Sequence, residues 1–437
     1  MTIYEAARQI PMAEKADVVV CGGGPAGFIA AVAASRMGAR TVLLERYGFL
    51  GGMATVSMVS PISAFNKNGK RVIHSIPWEY IKELEKLGGA ITNYPSGNIH
   101  FDPETYKLLA ARFVRRSNAA LYLHSLVAGC ILEDGDAGQI THLIFESKSG
   151  RQAIEAGYFI DCTGDADLAH YAGFQCESGD MAAGELQPMT LWFRLGGVDA
   201  NRLANMHMRE ENTKYSNTRI RDILRSLDPS EQVPNFGGPW CTTTLREGEA
   251  SINMTRSLGD GTNVLSLTKA EVALREDAHR LIALLKRHVP EFKNCYLIDT
   301  GAAAGIRETR RIKGQYKMTA RDIAAPQDYP DTIAKGAHPI DIHLPNGHQQ
   351  YTKFLDKAYN IPYRCMLPVG AKNLIVAGRC VSATREAFAS IRVQATCMAL
   401  GQAAGTAAAL CARTKTSVGA LDIQSLREQL RMADAII

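Results

Sequence analysis

Runs of apolar residues and their spacing predict the elements of this chain before any single residue suggests chemistry. Residues 17–22, DVVVCG, form a continuous β-branched run closed by glycine, the pattern of a strand buried on both faces of a parallel sheet. Residues 25–37, PAGFIAAVAASRM, predict a helix with proline in its first turn and Gly38 as its stop. RTVLLE at 40–45 predicts a second buried strand, so the segment reads as a βαβ unit. Asp102 and Pro103 predict another helix start, as N-cap and first position ahead of TYKLLAARFVRRS. From Leu121 to Asp161 the apolar segments LYLHSLVAGCILE, ITHLIFES and AIEAGYFIDC are split by the turn clusters DGDAG and KSG, which predicts a small meander.

The middle of the chain, 176–361, is less regular. It holds a strand-like PMTLWFRL, a polar stretch through NTKYSN, a glycine-rich loop FGGPW and a helix near 269–289. Thr268 and Glu271 read as that helix's capping box, with Leu274, Ala278, Leu281, Leu285 and Val289 on one face. NLIVAG at 373–378 is again a buried strand, followed by a long alanine-rich helix, so the C-terminus returns to the first layer. The expected fold is α/β: a doubly wound, Rossmann-like dinucleotide-binding domain with a β-meander and an inserted mixed α+β substrate domain. Residues 1–60, 100–175 and 362–437 are assigned to the first, and 61–99 and 176–361 to the second.

Composition narrows the class. With 437 residues, 46% hydrophobic and 21% charged, the chain is neither disordered nor collagen-like, and it can bury a sizeable interior. Lys and Arg number 49 against 44 Asp and Glu; this mild excess favours anionic ligands but makes no nucleic-acid footprint. Ten cysteines occur without a CxxC pair, so no cluster, zinc site or redox dithiol is signalled, and a cytoplasmic setting is expected. The first residues lack the apolar core of a signal peptide. Val393 to Ala412 carries no charge and contains Gly401-xxx-Gly405, yet Gln394 and Gln402 and its many small residues predict a buried helix rather than a membrane span. A small-molecule substrate is expected, with neither nucleic acid nor membrane as partner, and a homo-oligomer is compatible with the sequence.

Gly22-Gly23-Gly24-Pro25-Ala26-Gly27 supplies GxGxxG at the turn from strand to helix. In such a turn Gly22 permits the bend, Gly24 lets backbone approach a pyrophosphate and Gly27 lets helix and strand pack closely, with the helix N-terminus facing the phosphates. Glu45, at the end of the second strand, stands where a ribose hydroxyl needs an acceptor. The further glycines Gly51 and Gly52 favour FAD over a nicotinamide cofactor, since an extended flavin must thread past backbone without side chains. A second GxGxxG after a strand, which would mark a separate pyridine-nucleotide domain, is not found.

Together with GGGPAG, the segments LLERYGFLGGMAT, DCTGDADLAHYAG, GIRETRRIKGQY, IPYRCMLP, NLIVAGRCVSAT and RVQATCMALGQAAGTAAAL resemble the FAD-dependent oxidoreductase family of glutathione-reductase-type fold. The branch resembled includes the flavin subunit of heterodisulfide reductase, whose cysteine-rich motifs this chain lacks. By that resemblance Gly22, Gly24, Pro25, Ala26 and Gly27 surround the pyrophosphate, Glu45 holds the adenosine ribose and Arg46 lies on the adenine side. Gly51, Gly52 and Met53 form the flavin approach, and Gly164 and Asp165 close over the cofactor. Many flavoproteins of this kind carry Gly-Asp where this chain has Gly378-Arg379, which implies that Arg379 meets a phosphate instead. The final alanine-rich helix, with Ala395, Gly401, Ala404 and Gly405, would aim its N-terminal dipole at the flavin N1 and C2 carbonyl.

For the substrate, Ile306-Arg307-Glu308-Thr309-Arg310-Arg311 gathers guanidiniums around a carboxylate, a setting for an anionic substrate or for a structural ion-pair network. His338, His343 and His348, with Asp341 between, offer a general base but not a usual metal spacing, so no metal is expected. Arg307, Glu308, His338 and Arg385 are the catalytic candidates; Tyr363, Arg364 and Arg385 flank the expected return of the chain to the flavin. Cys162, Cys365, Cys380 and Cys397 read as small buried hydrophobes. The expected activity is a dehydrogenase or oxidase passing a hydride from a small polar or anionic substrate to flavin N5. A flavin oxygenase, a double-bond reductase and a non-catalytic electron-transfer subunit are the alternatives.

Overall fold

Alternation along the buried strands decides which layer each side chain enters, and the layers decide where a cavity can open. The computed structural model describes residues 3, 7–93, 97–179, 184–199, 219–344 and 350–437. The chain begins with β1 (Met12–Cys21), α1 (Pro25–Arg36) and β2 (Thr41–Leu44), then α2 (Ile76–Lys86) and α3 (Pro103–Arg116). β3 (Ala120–Tyr122), β4 (Leu126–Glu133), β5 (Asp136–Ser147), β6 (Gly150–Asp161) and the short α4 (Asp167–Tyr171) follow. Next come β7 (Phe193–Gly196), β8 (Phe236–Thr243), β9 (Ala250–Thr255), α5 (Val264–His288) and β10 (Tyr296–Thr300). A hairpin of β11 (Ile340–His343) and β12 (Gln350–Lys353) precedes β13 (Leu374–Val376), α6 (Arg385–Ile391) and α7 (Gln394–Thr414).

The larger sheet has seven strands in the order β3-β2-β1-β6-β5-β4, with β13 also paired to β6. Its centre is parallel and its β4–β6 side is an antiparallel meander, the mixed α/β architecture the sequence predicts. Val18, Val20, Leu43 and Ile160 face α1 and α7, whereas Val19, Cys21, Val42, Leu44 and Phe159 face the meander and α4. Period-two alternation thus splits one continuous apolar run between two cores, which is why no polar residue could interrupt it. α7 is buried along almost all its length because small residues let it touch α1: a Cβ on Gly401 would lie 2.1 Å from the Ala26 carbonyl oxygen. The second sheet is antiparallel, in the order β8-β9-β7-β10, and packs Phe193, Ile252 and Met254 against α5.

The structure corrects several expected boundaries. LYLHSLVAGCILE is not one strand: His124 sits at φ +53°, and β3 pairs parallel with β2 while β4 turns back along β5. FGGPW is not a loop but the start of β8, an edge strand with an irregular register there, where a proline is tolerated. α5 starts before the expected capping box. Asn263 accepts from Ser266 N–H as N-cap, and the Thr268 hydroxyl donates to Val264 O instead. Within residues 61–99, α2 packs against α1 and α3, where the Tyr80 ring lies 4.8 Å from Phe28. The NTKYSN stretch and His348 lie outside the described residues.

Candidate active site

The C-terminal ends of β1 and β2 and the start of α1 open on a cavity of about 1290 Å³. Gly22, at φ +95°, makes the turn that no residue with a Cβ could share, since that atom would fall 2.6 Å from Cys162 O. Gly27 lets α1 press on β1: its Cβ would meet Gly22 O at 1.7 Å. At Gly24, by contrast, a Cβ would find nothing closer than Gly52 Cα at 3.9 Å, so this position faces the cavity. α1 begins there without a side-chain cap and without an acid in its first turn, leaving its positive end for an anion. Glu45, 5% exposed, accepts from Gly23 N–H at 2.6 Å and Tyr47 N–H at 2.9 Å. It ties the glycine turn to the end of β2 and keeps lone pairs for a hydroxyl. Burial raises its pKa, and those backbone donors act against the rise. The uncapped helix end, the Gly24–Gly52 cradle and the acid at the end of β2 match what a pyrophosphate-bridged dinucleotide requires.

Of the expected cofactor residues, Gly22, Gly24, Pro25, Ala26, Glu45 and Arg46 line this cavity. So do Gly52, Met53, Gly164, Gly378 and Arg379. Gly27, Gly51, Asp165 and Gly401 stand behind the lining: Gly51 N–H donates to Gly23 O at 2.8 Å, and Gly401 packs α7 on α1. Arg379 is held in an ion pair with Asp165 and donates to Ile306 O at 3.0 Å. Thr309 Oγ1 also donates to Asp165 at 2.6 Å; although burial pushes the Asp165 pKa up, Arg379 and this bond bring it below the usual range. Asp167 does line the cavity, and burial beside Asp165 and Asp161 pushes its pKa up to about 6.

The substrate-side candidates separate. Arg307 and Glu308 lie just ahead of a short strand, Arg310–Ile312, and their side chains go to different places. Arg307 reaches the cavity, while Glu308, 1% exposed, accepts from Arg311 Nη1 at 2.6 Å and from Gln187 N–H at 3.1 Å inside the wall. Arg385 lies 3.4 Å from Glu308 on that inner side, and neither is among the residues that line the cavity. His338, Asp341 and His343 do line the cavity. His343 Nε2 lies 3.3 Å from Asp341 Oδ2, and Arg256 Nη2 approaches its Nδ1 at 3.5 Å, so both ring nitrogens are engaged. Tyr363 is buried with its hydroxyl on Val418 O, and Arg364 pairs with Asp331. Cys162 and Cys397 line the cavity as free thiols whose pKa burial raises. Among the described residues no group of His, Cys, Asp and Glu is disposed to hold a metal.

Several lining residues were not singled out from the sequence: Thr190 and Trp192 leading into β7, Asn253 on β9, and Arg392 between α6 and α7. Arg256, 4% exposed, stands behind them. The available signal was the polar pair in SINMTR, which carries Asn253 and Arg256 in a segment buried throughout.

The sequence pattern of the family described as FAD dependent oxidoreductase matches residues 17–430. A 36-residue stretch is 56% identical to leghemoglobin reductase of Vigna unguiculata, covering 8% of this chain and 7% of that protein. Another comparison gives 47% identity over 45 residues to dihydrolipoyl dehydrogenase of Trypanosoma brucei brucei, 10% of this chain and 9% of that one. The matched stretches span less than a tenth of those relatives' length. Among solved structures, a geranylgeranyl bacteriochlorophyll reductase-like protein of Thermoplasma acidophilum is similar over 96% of this chain and 91% of its own, at 13% identity and a TM-score of 0.48. OxyS anhydrotetracycline hydroxylase of Streptomyces rimosus is similar over 95% and 64%, at 13% identity and a TM-score of 0.45. With the family pattern covering most of its length, the chain belongs to the FAD-dependent oxidoreductase family and is a flavoenzyme whose cofactor is FAD.

Proposed function

We propose that this enzyme is a dehydrogenase or oxidase that takes a hydride and a proton from a small polar or anionic organic substrate, with His338 as the base. Bound FAD supplies the two-electron acceptor, its N5 atom. The observation that carries the reading is the contact of His338 Nδ1 with the Pro339 carbonyl oxygen at 2.8 Å. A carbonyl only accepts, so the ring hydrogen sits on Nδ1 and Nε2 keeps its lone pair. Burial lowers the His338 pKa below its ordinary 6.5, leaving the ring neutral and able to take a proton at neutral pH. Arg307 and Arg392 line the same cavity and favour a substrate on which negative charge resides or develops. α7 adds its positive end: it starts at Val393 and Gln394, both on the cavity, without a side-chain cap.

Within the family, the motif run leads us to group the chain with the branch that includes the flavin subunit of heterodisulfide reductase. Ten free cysteines support a reducing compartment, and we assign the protein to the cytoplasm. The test is anaerobic mixing of the yellow protein with a panel of small hydroxy acids, amino acids and polyols. One class should bleach the flavin, and His338→Asn should slow that bleaching about 10²–10⁴-fold with FAD content unchanged. Because the neutral ring is the active form and its pKa is depressed, the wild-type rate should stay level through neutral pH and fall only below about pH 6.5. Equal bleaching by wild type and variant would remove His338 from the reaction.

A further inference from the structure

One stretch of the cavity lining offers hydrogen-bond donors almost exclusively. The carbonyl oxygen of the Asn253 side chain accepts from Thr190 Oγ1 at 2.7 Å, Arg256 Nη1 at 3.0 Å and Arg307 Nη2 at 3.5 Å. That saturates its lone pairs and fixes which way the amide points, so what Asn253 has left to present is its Nδ2 hydrogens. Thr190 and Trp192 are alternate residues of one extended segment, and both line the cavity. Trp192 is 4% exposed, and its indole Nε1, a donor only, has no partner among the described residues.

Charge points the same way. Arg307 donates to Pro188 O at 2.6 Å, and Arg392 to Asp341 O at 2.9 Å. Among the described residues no carboxylate lies within 4 Å of Arg256, Arg307 or Arg392. Asp341 is the acid of this cluster, and its Oδ2 lies 3.3 Å from Nε2 of His343. One buried and two part-buried guanidiniums stand beside Asp341, while Glu308 is taken up by Arg311 and Arg385, and the surplus positive charge is unfavourable unless an anion completes it. The donors are planar groups, guanidinium, carboxamide and indole. The backbone N–H groups that would cradle a phosphate are taken: Thr190 N–H by Gly305 O and Leu191 N–H by Thr255 Oγ1.

We propose that this lining is a carboxylate-binding subsite, in which Arg307 and the Nδ2 of Asn253 grip the carboxylate, Trp192 walls it and Arg392 adds charge. Resting on the redox reading above, it makes the substrate an organic acid. Arg256 is a positioning residue that aims Asn253.

The experiment titrates the FAD-loaded protein with malonate, benzoate or inorganic phosphate at constant ionic strength. It reads the heat of binding and the perturbation of the flavin's visible band. A carboxylate should bind, with phosphate at least about tenfold weaker. Arg307→Met should weaken carboxylate binding by about tenfold or more, Arg307→Lys should restore part of it, and Asn253→Asp should abolish it by turning a donor into a second acid. Retained FAD and an unchanged melting temperature certify that each variant is folded. Carboxylate binding without flavin bleaching by any organic acid upholds the subsite and sinks the redox reading. Flavin bleaching by a neutral substrate, with malonate and benzoate neither binding nor competing, overturns the subsite and leaves the redox reading standing. Phosphate binding as tightly as malonate, or carboxylate affinity indifferent to Arg307→Met, also overturns it.

Discussion

A neutral imidazole among guanidiniums ties the stability of this site to pH. His343 is 7% exposed; burial first, then Arg307 close by, drives its pKa from 6.5 down to about 3, against the pull of Asp341. Above pH 6.5 the ring is neutral in both folded and unfolded chains. As pH falls below that value the unfolded chain takes a proton the folded one refuses, so stability is lost at about 1.4 kcal/mol per pH unit until the folded group titrates. His338 acts in the same direction. For Asp341, burial raises the pKa but His343 and Arg392 more than offset it, so its contribution is lost only in the carboxylate range. His343→Gln should therefore lose less melting temperature than wild type on going from about pH 7 to pH 5, measured by calorimetry. Parallel curves would show that His343 is not the group that titrates. The site itself was only half legible at this scale. His338 and Arg307 stand out as chemistry-bearing residues in the sequence, but Glu308 reads as their equal until Arg311 and the Gln187 N–H are seen to take up its carboxylate inside the wall. Asn253 and Trp192 gain meaning only from strands that meet across tens of residues.

Elements that announce themselves locally were the readable part of the fold. β1, α1 and β2 follow from a β-branched run, a glycine turn and a helical period within thirty-three residues, because each step is a neighbour effect. β8 defied such reading because Gly238-Pro239 looks like a loop, and only its place at a sheet edge makes a strand with proline acceptable. The start of α5 was misplaced because two capping signals stand five residues apart and the earlier one, Asn263, engages its backbone donor. α7 shows the same limit from the other side. Its small residues were visible, but Gly401 was given to the cofactor, whereas it and Gly405 form a groove one helical turn long against Ala26 and Ala30 of α1. A Cβ at Gly405 would lie 2.2 Å from Ala30 O, so even a small side chain must push the helices apart. Gly401→Val should cost about 1–3 kcal/mol by overpacking and lower the melting temperature of FAD-free and FAD-loaded protein alike. A loss confined to the FAD-loaded form would return Gly401 to the cofactor site.

At the level of the whole molecule the cavity is where distant parts of the chain are joined. β13 adds to β6 from more than two hundred residues away, fastened by Asn373, whose amide donates to Ile140 O at 2.7 Å and Gly157 O at 2.8 Å. Gly378, just beyond β13, then meets the cavity next to Ala26, while Thr190 and Asn253 bring the second sheet to the same space. A ligand filling it contacts both sheets and the α1–α7 pair at once, and it binds the folded chain only. Its contribution is RT ln(1 + [L]/Kd), about 2.7 kcal/mol at a hundredfold excess over Kd. Stripping FAD should therefore lower the melting temperature by a few degrees, and adding it back should restore it in a concentration-dependent way. Hydrogen exchange should slow on refilling at Gly22, Gly24, Gly52 and Gly378, which line the cavity, and change little along β5, no residue of which lines it. If colour returned with no gain in melting temperature, FAD would be held on the surface of a finished fold, and the cavity would have to be assigned to something else.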